Sequence, residues 1–117
     1  MVKPDIQKKK IFYIEKVSFL RSMMEFALRA HGAEIYSVDT LDNNFYLLED
    51  LTPDLIIFDL DSIGENLEKI KEYSTRAVLV ATGNESQQAS VSDQVKMYLI
   101  KPLQAKNIAV KILSLLD

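Results

Sequence analysis

Three polar residues of this chain stand where they could do chemistry together. Asp59, Thr82 and Lys101 each follow directly after four consecutive apolar residues, which have the composition of buried strands. In open α/β sheets, functional groups collect at the carboxyl ends of the strands. We therefore expect the acid, the hydroxyl and the amine to form one site that fits a small anion.

The elements that must position these groups alternate along the chain. The predicted strands are residues 10–14, 33–38, 54–58, 77–81 and 97–100. Segments with apolar residues at helical spacing follow each of them. This alternation predicts a doubly wound α/β fold, with a five-stranded parallel sheet in the order 2-1-3-4-5 and helices on both faces.

The predicted helices differ in how well their sequences support them. Ser18 can cap the first helix, and Gly32 suits the position just past its end. We expect the cluster of Met23, Met24 and Phe26 to face the core rather than to bind a cofactor. The segment 85–96 is rich in Ser and Gln and predicts a poorly formed fourth helix. An apolar stripe that starts at Ala105 predicts a strong fifth helix, the last of the chain.

Composition narrows the class of protein. A chain of 117 residues with 48% apolar content is expected to form a single domain, residues 1–117. The net charge of −3 gives no general attraction to nucleic acid. The absence of cysteine excludes disulfides and thiolate metal sites. No apolar run reaches the length of a membrane span and the N-terminus does not read as a secretory signal, so we expect a cytoplasmic protein with no membrane partner.

In order and placement, these motifs resemble the receiver (CheY-like) domain of bacterial two-component response regulators. The matching residues are Phe58-Asp59, Ala81-Thr82-Gly83 and Lys101-Pro102, each directly at a predicted strand end. Tyr98 also matches, as an aromatic residue three positions before the lysine. The resemblance covers roughly residues 9–116, and its strength lies in the three motifs occurring together.

The resemblance implies roles for these residues. Asp59 would accept a phosphoryl group from a histidine kinase or another phosphodonor, with Thr82 and Lys101 contacting that group. Tyr98 would act with Thr82 as the switch, and Asp61 would offer its backbone carbonyl to a metal. The protein would pass a phosphorelay signal to a downstream protein target and would not be an enzyme with its own substrate. The Lys101-Pro102 peptide bond is expected to be cis.

The chain departs from the receiver pattern after the first predicted strand. Receivers carry two acidic residues there, which hold a divalent metal, whereas this chain has Glu15 followed by Lys16. Mg²⁺ requires oxygen ligands in octahedral geometry, and a lysine supplies none. We therefore expect Mg²⁺ binding at Glu15 and Asp59 to be weak or absent. We also expect the site to neutralise itself, with Lys16 near Asp59, Glu15 or Asp61, and Lys101 completing the cluster.

Two other functions remain open. One is a phosphorylation-independent pseudo-receiver, an interaction or dimerisation module, which is favoured by Lys16 and by shorter spacings after Asp59 than typical receivers have. Its expected contact surface, including a possible homodimer, is the face formed by the predicted fourth helix, fifth strand and fifth helix, with Tyr98 and Met97 in its apolar part. The other is a flavodoxin-like binding protein or enzyme, but the three glycines are not clustered into a phosphate-binding loop.

Overall fold

A single parallel sheet organises the molecule. The computed structural model describes residues 8–104 and 107–117. The strands are β1 (Lys10–Ile14), β2 (Glu34–Val38), β3 (Leu55–Asp59), β4 (Val78–Gly83) and β5 (Met97–Ile100). They are all parallel and lie in the order β2-β1-β3-β4-β5. The predicted fold and strand order are confirmed.

Short helical segments connect the strands. The helices are α1 (Ser18–Ala30), α2 (Phe45–Leu51), α3 (Leu67–Lys71) and α4 (Ile108–Ser114), and two 3-10 helices span Glu72–Thr75 and Glu85–Ser90. The polar segment predicted as a poor fourth helix contains only the second 3-10 helix. The fifth predicted helix is α4, and its expected beginning at Ala105 lies outside the described residues. None of the helices in the described ranges combines the length and the apolar character needed to cross a membrane.

The sheet carries a hydrophobic core on each face. Successive residues of β1 point to opposite faces, so Phe12 joins the core under α2 and α3, while Tyr13 joins the core under α1 and α4. All five residues of β3 are buried, because this strand lies at the centre of the sheet with helices on both sides. The sheet therefore holds the carboxyl ends of β1 and β3 in fixed positions.

One prediction about α1 is wrong. Met24 is fully buried, but Phe26 is 79% exposed and Phe19 is 73% exposed. A residue two positions along a helix is rotated by about 200°, so a helix that buries Met24 turns Phe26 towards solvent. The outer side of α1 is thus more apolar than the sequence pattern indicated.

Candidate functional site

The three sequence-predicted strand-end residues lie in contact. Asp59 and Thr82 are paired across β3 and β4, and Thr82 Oγ1 donates to Asp59 Oδ1 at 3.2 Å. Lys101 Nζ lies 2.8 Å from the same Oδ1 atom. The backbone N–H of Lys101 donates to the carbonyl of Gly83, and the Lys101–Pro102 bond is cis, as predicted. The Lys101 side chain thus reaches from the end of β5 to the end of β3.

Glu15 supplies a second carboxylate to this site from the end of β1. Its Oε1 atom lies 2.6 Å from Lys101 Nζ, and its Oε2 atom accepts from the backbone N–H of Val17 at 3.2 Å. Arg21 of α1 donates from its guanidinium to the Glu15 carbonyl at 2.6 Å and so fixes the backbone here. Glu15 and Asp59 are both fully buried, and Lys101 holds its ammonium between them.

Sequence reasoning assigned no role to Ser62, yet its hydroxyl lies inside the site. Ser62 Oγ donates to Asp59 Oδ2 at 2.6 Å and lies 3.4 Å from Glu15 Oε2. The turn after β3 places it there, since the Ser62 N–H donates to the Asp59 carbonyl. A serine three residues after a strand-end aspartate was the available signal, but such a residue more often serves only its own turn.

Lys16 does not join the cluster, which corrects the prediction made for it. Its side chain is exposed and forms no ion pair with any carboxylate of the described residues. Its backbone N–H donates to Ser62 Oγ at 2.8 Å. Glu15 turns inwards at the end of β1, so the side chain that follows it points outwards. Among the described residues, Lys101 is the one whose charged group forms ion pairs with Glu15 and Asp59.

Asp61 and Tyr98 lie beside the cluster and form hydrogen bonds to the second 3-10 helix, Glu85–Ser90, and to the residue before it. Gln87 donates from its side-chain amide to Asp61 Oδ1 at 2.9 Å. The Tyr98 hydroxyl donates to the carbonyl of Asn84 at 2.6 Å. Gly83 leaves room for this approach, because a Cβ at that position would lie 2.5 Å from both the Gln87 Oε1 and the Tyr98 hydroxyl oxygen and would displace these side-chain ends.

Burial and charge act in opposite directions on the ionisable groups of the site. Burial lowers the pKa of Lys101, but its hydrogen bonds to Asp59 and Glu15 outweigh this effect and raise the pKa above its ordinary value. The amine therefore stays charged. Burial, together with the charges of Glu15 and Asp59, raises the pKa of Tyr13, whose hydroxyl has no hydrogen-bond partner within the described part of the chain. Burial and the charges of Asp59 and Asp61 also raise the pKa of Tyr98.

The oxygen atoms of this site are already occupied by other partners, which bears on the binding of a divalent cation. Each of the four carboxylate oxygens of Glu15 and Asp59 already faces a hydrogen-bond donor or the ammonium group. Mg²⁺ needs oxygen atoms at about 2.0–2.1 Å in octahedral geometry. In this arrangement the cation would have to displace Lys101 or Ser62, so the residues as placed do not fit it.

Solved structures with the same fold are numerous. The chemotaxis response regulator CheY4 of Vibrio cholerae is 15% identical, with a TM-score of 0.80 over 95% of this chain and 100% of that one. An orphan response regulator of H. pylori is 19% identical, with a TM-score of 0.79 over 93% and 97%. A receiver-modulated diguanylate cyclase from Pelobacter carbinolicus is 22% identical, with a TM-score of 0.75 over 92% of each chain.

The level of similarity determines what these matches establish. No family model matches the sequence, and no curated protein matches it. At identities of 15–22% the structural matches concern the fold, and they extend over more than nine-tenths of the chain. The protein therefore has the CheY-like fold of response-regulator receiver domains.

Proposed function

We propose that this chain is a signalling domain of a bacterial two-component system that acts as a phosphorylation-independent interaction module. One observation carries this proposal: the buried carboxylates of Glu15 and Asp59 are closed on Lys101, Thr82 and Ser62. On this proposal the domain has no substrate of its own, works in the cytoplasm, and binds Mg²⁺ weakly or not at all.

The closed carboxylate supports the proposal that phosphoryl transfer to Asp59 is disfavoured. Attack on a phosphodonor requires a free carboxylate oxygen in line with the phosphorus, and cations that neutralise the equatorial oxygens. Asp59 is fully buried, and both of its oxygens accept hydrogen bonds. A phosphodonor would have to break the 2.6 Å bond from Ser62 before it reached Oδ2.

Two exposed apolar surfaces are available for protein partners. On the β5 and α4 side, Ile100 is 47% exposed and Val110 is 53% exposed, whereas Met97 and Tyr98 are partly buried. On the outer side of α1, Phe19 and Phe26 are exposed. On this proposal, a downstream protein target binds one of these two surfaces. On the β5 and α4 side, a second copy of the chain could bind instead.

The second candidate function is a phosphorelay receiver with Asp59 as the acceptor. The specific observation in its favour is that Thr82 and Lys101 both contact Asp59 Oδ1. A hydroxyl and an ammonium on one side of the carboxylate could bind phosphoryl oxygens after transfer from a histidine kinase. In this case the contact from Ser62 to Oδ2 would open during the reaction.

Exposure to small phosphodonors distinguishes the two functions. The protein is incubated with acetyl phosphate, and separately with beryllofluoride, with and without Mg²⁺, and is followed by intact mass and amide NMR. We expect no mass gain of one phosphoryl group and no saturable shift around Asp59. An Asp59→Asn variant is the control for labelling elsewhere. A phosphoryl adduct that the control lacks would refute the proposal and establish the second candidate.

A further inference from the structure

The charge balance of the cluster does not by itself keep cations out. Two carboxylates, Glu15 and Asp59, face one ammonium, that of Lys101, so one negative charge is left over. A buried group of net negative charge attracts cations strongly, because the surrounding dielectric is low. Whether a divalent cation enters therefore depends on whether it can reach the carboxylate oxygens.

Ser62 lies against Asp59 Oδ2 and Glu15 Oε2, the two carboxylate oxygens other than those nearest to Lys101, and the N–H of Val17 also covers Glu15 Oε2 at 3.2 Å. Lys101 lies on Glu15 Oε1 and Asp59 Oδ1, whereas the Ser62 hydroxyl lies 2.6 Å from Asp59 Oδ2 and 3.4 Å from Glu15 Oε2. A hydroxyl has one proton to donate, and the shorter distance assigns it to Asp59. The Ser62 Oγ atom also accepts the backbone N–H of Lys16 at 2.8 Å.

The Lys101 ammonium and the Ser62 hydroxyl, which both cover the carboxylates, differ in how firmly they are held in place. Lys101 reaches the site on a long flexible stem, and its side chain is 23% exposed. Ser62 is 8% exposed and is fixed through its own N–H to the Asp59 carbonyl and through its hydroxyl to Lys16 N–H. The lysine can move aside when an entering cation replaces its charge on the carboxylates, whereas the serine cannot move without breaking these bonds.

We infer that Ser62 is the positioning residue that keeps divalent cations out of the Glu15–Asp59 pair, by holding Asp59 Oδ2 on its hydroxyl and screening Glu15 Oε2. Lys101 then serves the pair as a tethered cation in place of a free one. This inference deepens the proposed function and rests on it, because it identifies the group that keeps the carboxylates closed. It assigns the exclusion to Ser62 rather than to the exposed Lys16.

The test is a Mg²⁺ titration of the whole chain and its variants, followed by amide NMR at residues 15–17 and 59–62. Ser62→Ala removes the hydroxyl and is expected to bind Mg²⁺ about tenfold more tightly, since a hydrogen bond to a charged group is lost from the competing state. Ser62→Thr restores a hydroxyl and is expected to return the affinity towards that of the parent. Ser90→Ala, whose hydroxyl bonds only a local carbonyl, is the control.

The possible outcomes separate this inference from the proposed function. Equal Mg²⁺ affinities, within twofold, for a folded Ser62→Ala and the parent would overturn the inference but leave the proposed function standing. A larger gain in Mg²⁺ affinity from Lys16→Ala, which removes the lysine without adding a ligand, than from Ser62→Ala would also overturn it. Phosphorylation of the parent by acetyl phosphate without Mg²⁺ would defeat the proposed function only. If Ser62→Ala does not fold, the Mg²⁺ titration of the parent still tests the inference. Amide shifts at Lys16 and Ser62 that saturate at submillimolar Mg²⁺ would contradict it.

Discussion

The centre of the sheet and its β5 edge are built very differently. At the centre, β3 is buried along its whole length and ends in the fully buried carboxylate of Asp59. At the edge, every residue of β5 is at least partly exposed, and the preceding segment is a polar 3-10 helix followed by turns. Tight packing and multiple charged contacts therefore fix the centre, whereas a few hydrogen bonds hold the edge.

This difference bears on signalling through the fold. A conformational switch needs an element with two alternative packed arrangements, because such elements turn a small shift into a large one. In the segment 85–96, Val91 is the one fully buried residue, and the direct side-chain link from the segment to the site is Gln87 on Asp61. We therefore expect the edge to offer a binding surface whose conformation depends little on events at Asp59.

Removal of the central charge has the largest expected effect. Lys101→Met leaves Glu15 and Asp59 buried without a cation, which costs about 3–5 kcal/mol when a buried ion pair loses one partner. We expect the lower end of this range because the lysine is partly exposed. Urea unfolding followed by circular dichroism measures the change, with the exposed Lys111→Met as the control. A loss below about 1 kcal/mol would show that the centre is not held by its charges.

Alkaline pH weakens the fold through groups that hold their protons more tightly when folded, two of them at the centre and one, Tyr73, in the first 3-10 helix. The pKa of Tyr13 is raised from 10.0, that of Tyr73 is raised to about 12, and that of Lys101 is also raised. As the pH rises, the unfolded chain loses these protons before the folded chain does. The contribution of these groups to the free energy of unfolding is therefore fully present below pH 10 and is lost as the pH rises above 10. Each group contributes up to about 1.4 kcal/mol per pH unit.

The variant Tyr13→Phe tests this dependence. It removes one titrating group, so the free energy of unfolding should fall less steeply between pH 10 and 11 than in the parent, as measured by urea unfolding at fixed pH steps. The exposed Tyr46→Phe is the control. Parallel slopes for Tyr13→Phe and the parent would show that the buried phenol does not contribute.

A smaller, local effect is expected at the edge. Asn84→Ala removes the side chain that accepts the Gln87 N–H at the start of the 3-10 helix, and loss of such a cap costs about 1 kcal/mol. Hydrogen exchange should rise within residues 85–91 while the amides of β3 keep their protection. The exposed Glu85→Ala is the control. Increased exchange throughout β3 would mean that the centre and the edge unfold together.

The smallest effect is expected at Lys16. Because its side chain is exposed and unpaired among the described residues, Lys16→Ala should change the free energy of unfolding by less than about 0.5 kcal/mol. The same urea series provides the measurement. A loss comparable to that of Lys101→Met would restore the predicted role of Lys16 in neutralising the site.

The sequence predicted the backbone of the site better than its side-chain contacts. Strand ends could be located from apolar runs, so the meeting of Asp59, Thr82 and Lys101 followed from the parallel topology. The inward turn of Glu15 and the outward turn of Lys16 could not be located in this way, because alternation no longer governs side-chain direction once a strand ends.

The remaining differences also have local causes. The position of Ser62 depends on the turn that follows β3, and turn geometry left no periodic signal in the sequence. Phe26 was expected in the core because it is large and apolar, but the helical phase set by Met24 and Leu28 decides its direction. Contacts made by single side chains thus required the structure.

Gly83 places a constraint on how this sequence can change over evolution. Any side chain at this position would displace the ends of the Gln87 and Tyr98 side chains, since Gln87 Oε1 and the Tyr98 hydroxyl oxygen both lie 2.5 Å from the place of its first carbon. A substitution at position 83 would therefore cost the hydrogen bonds that these two side-chain ends make with the backbone of Asn84. Relatives of this chain with a larger residue at position 83 are expected to differ at positions 87 and 98 as well.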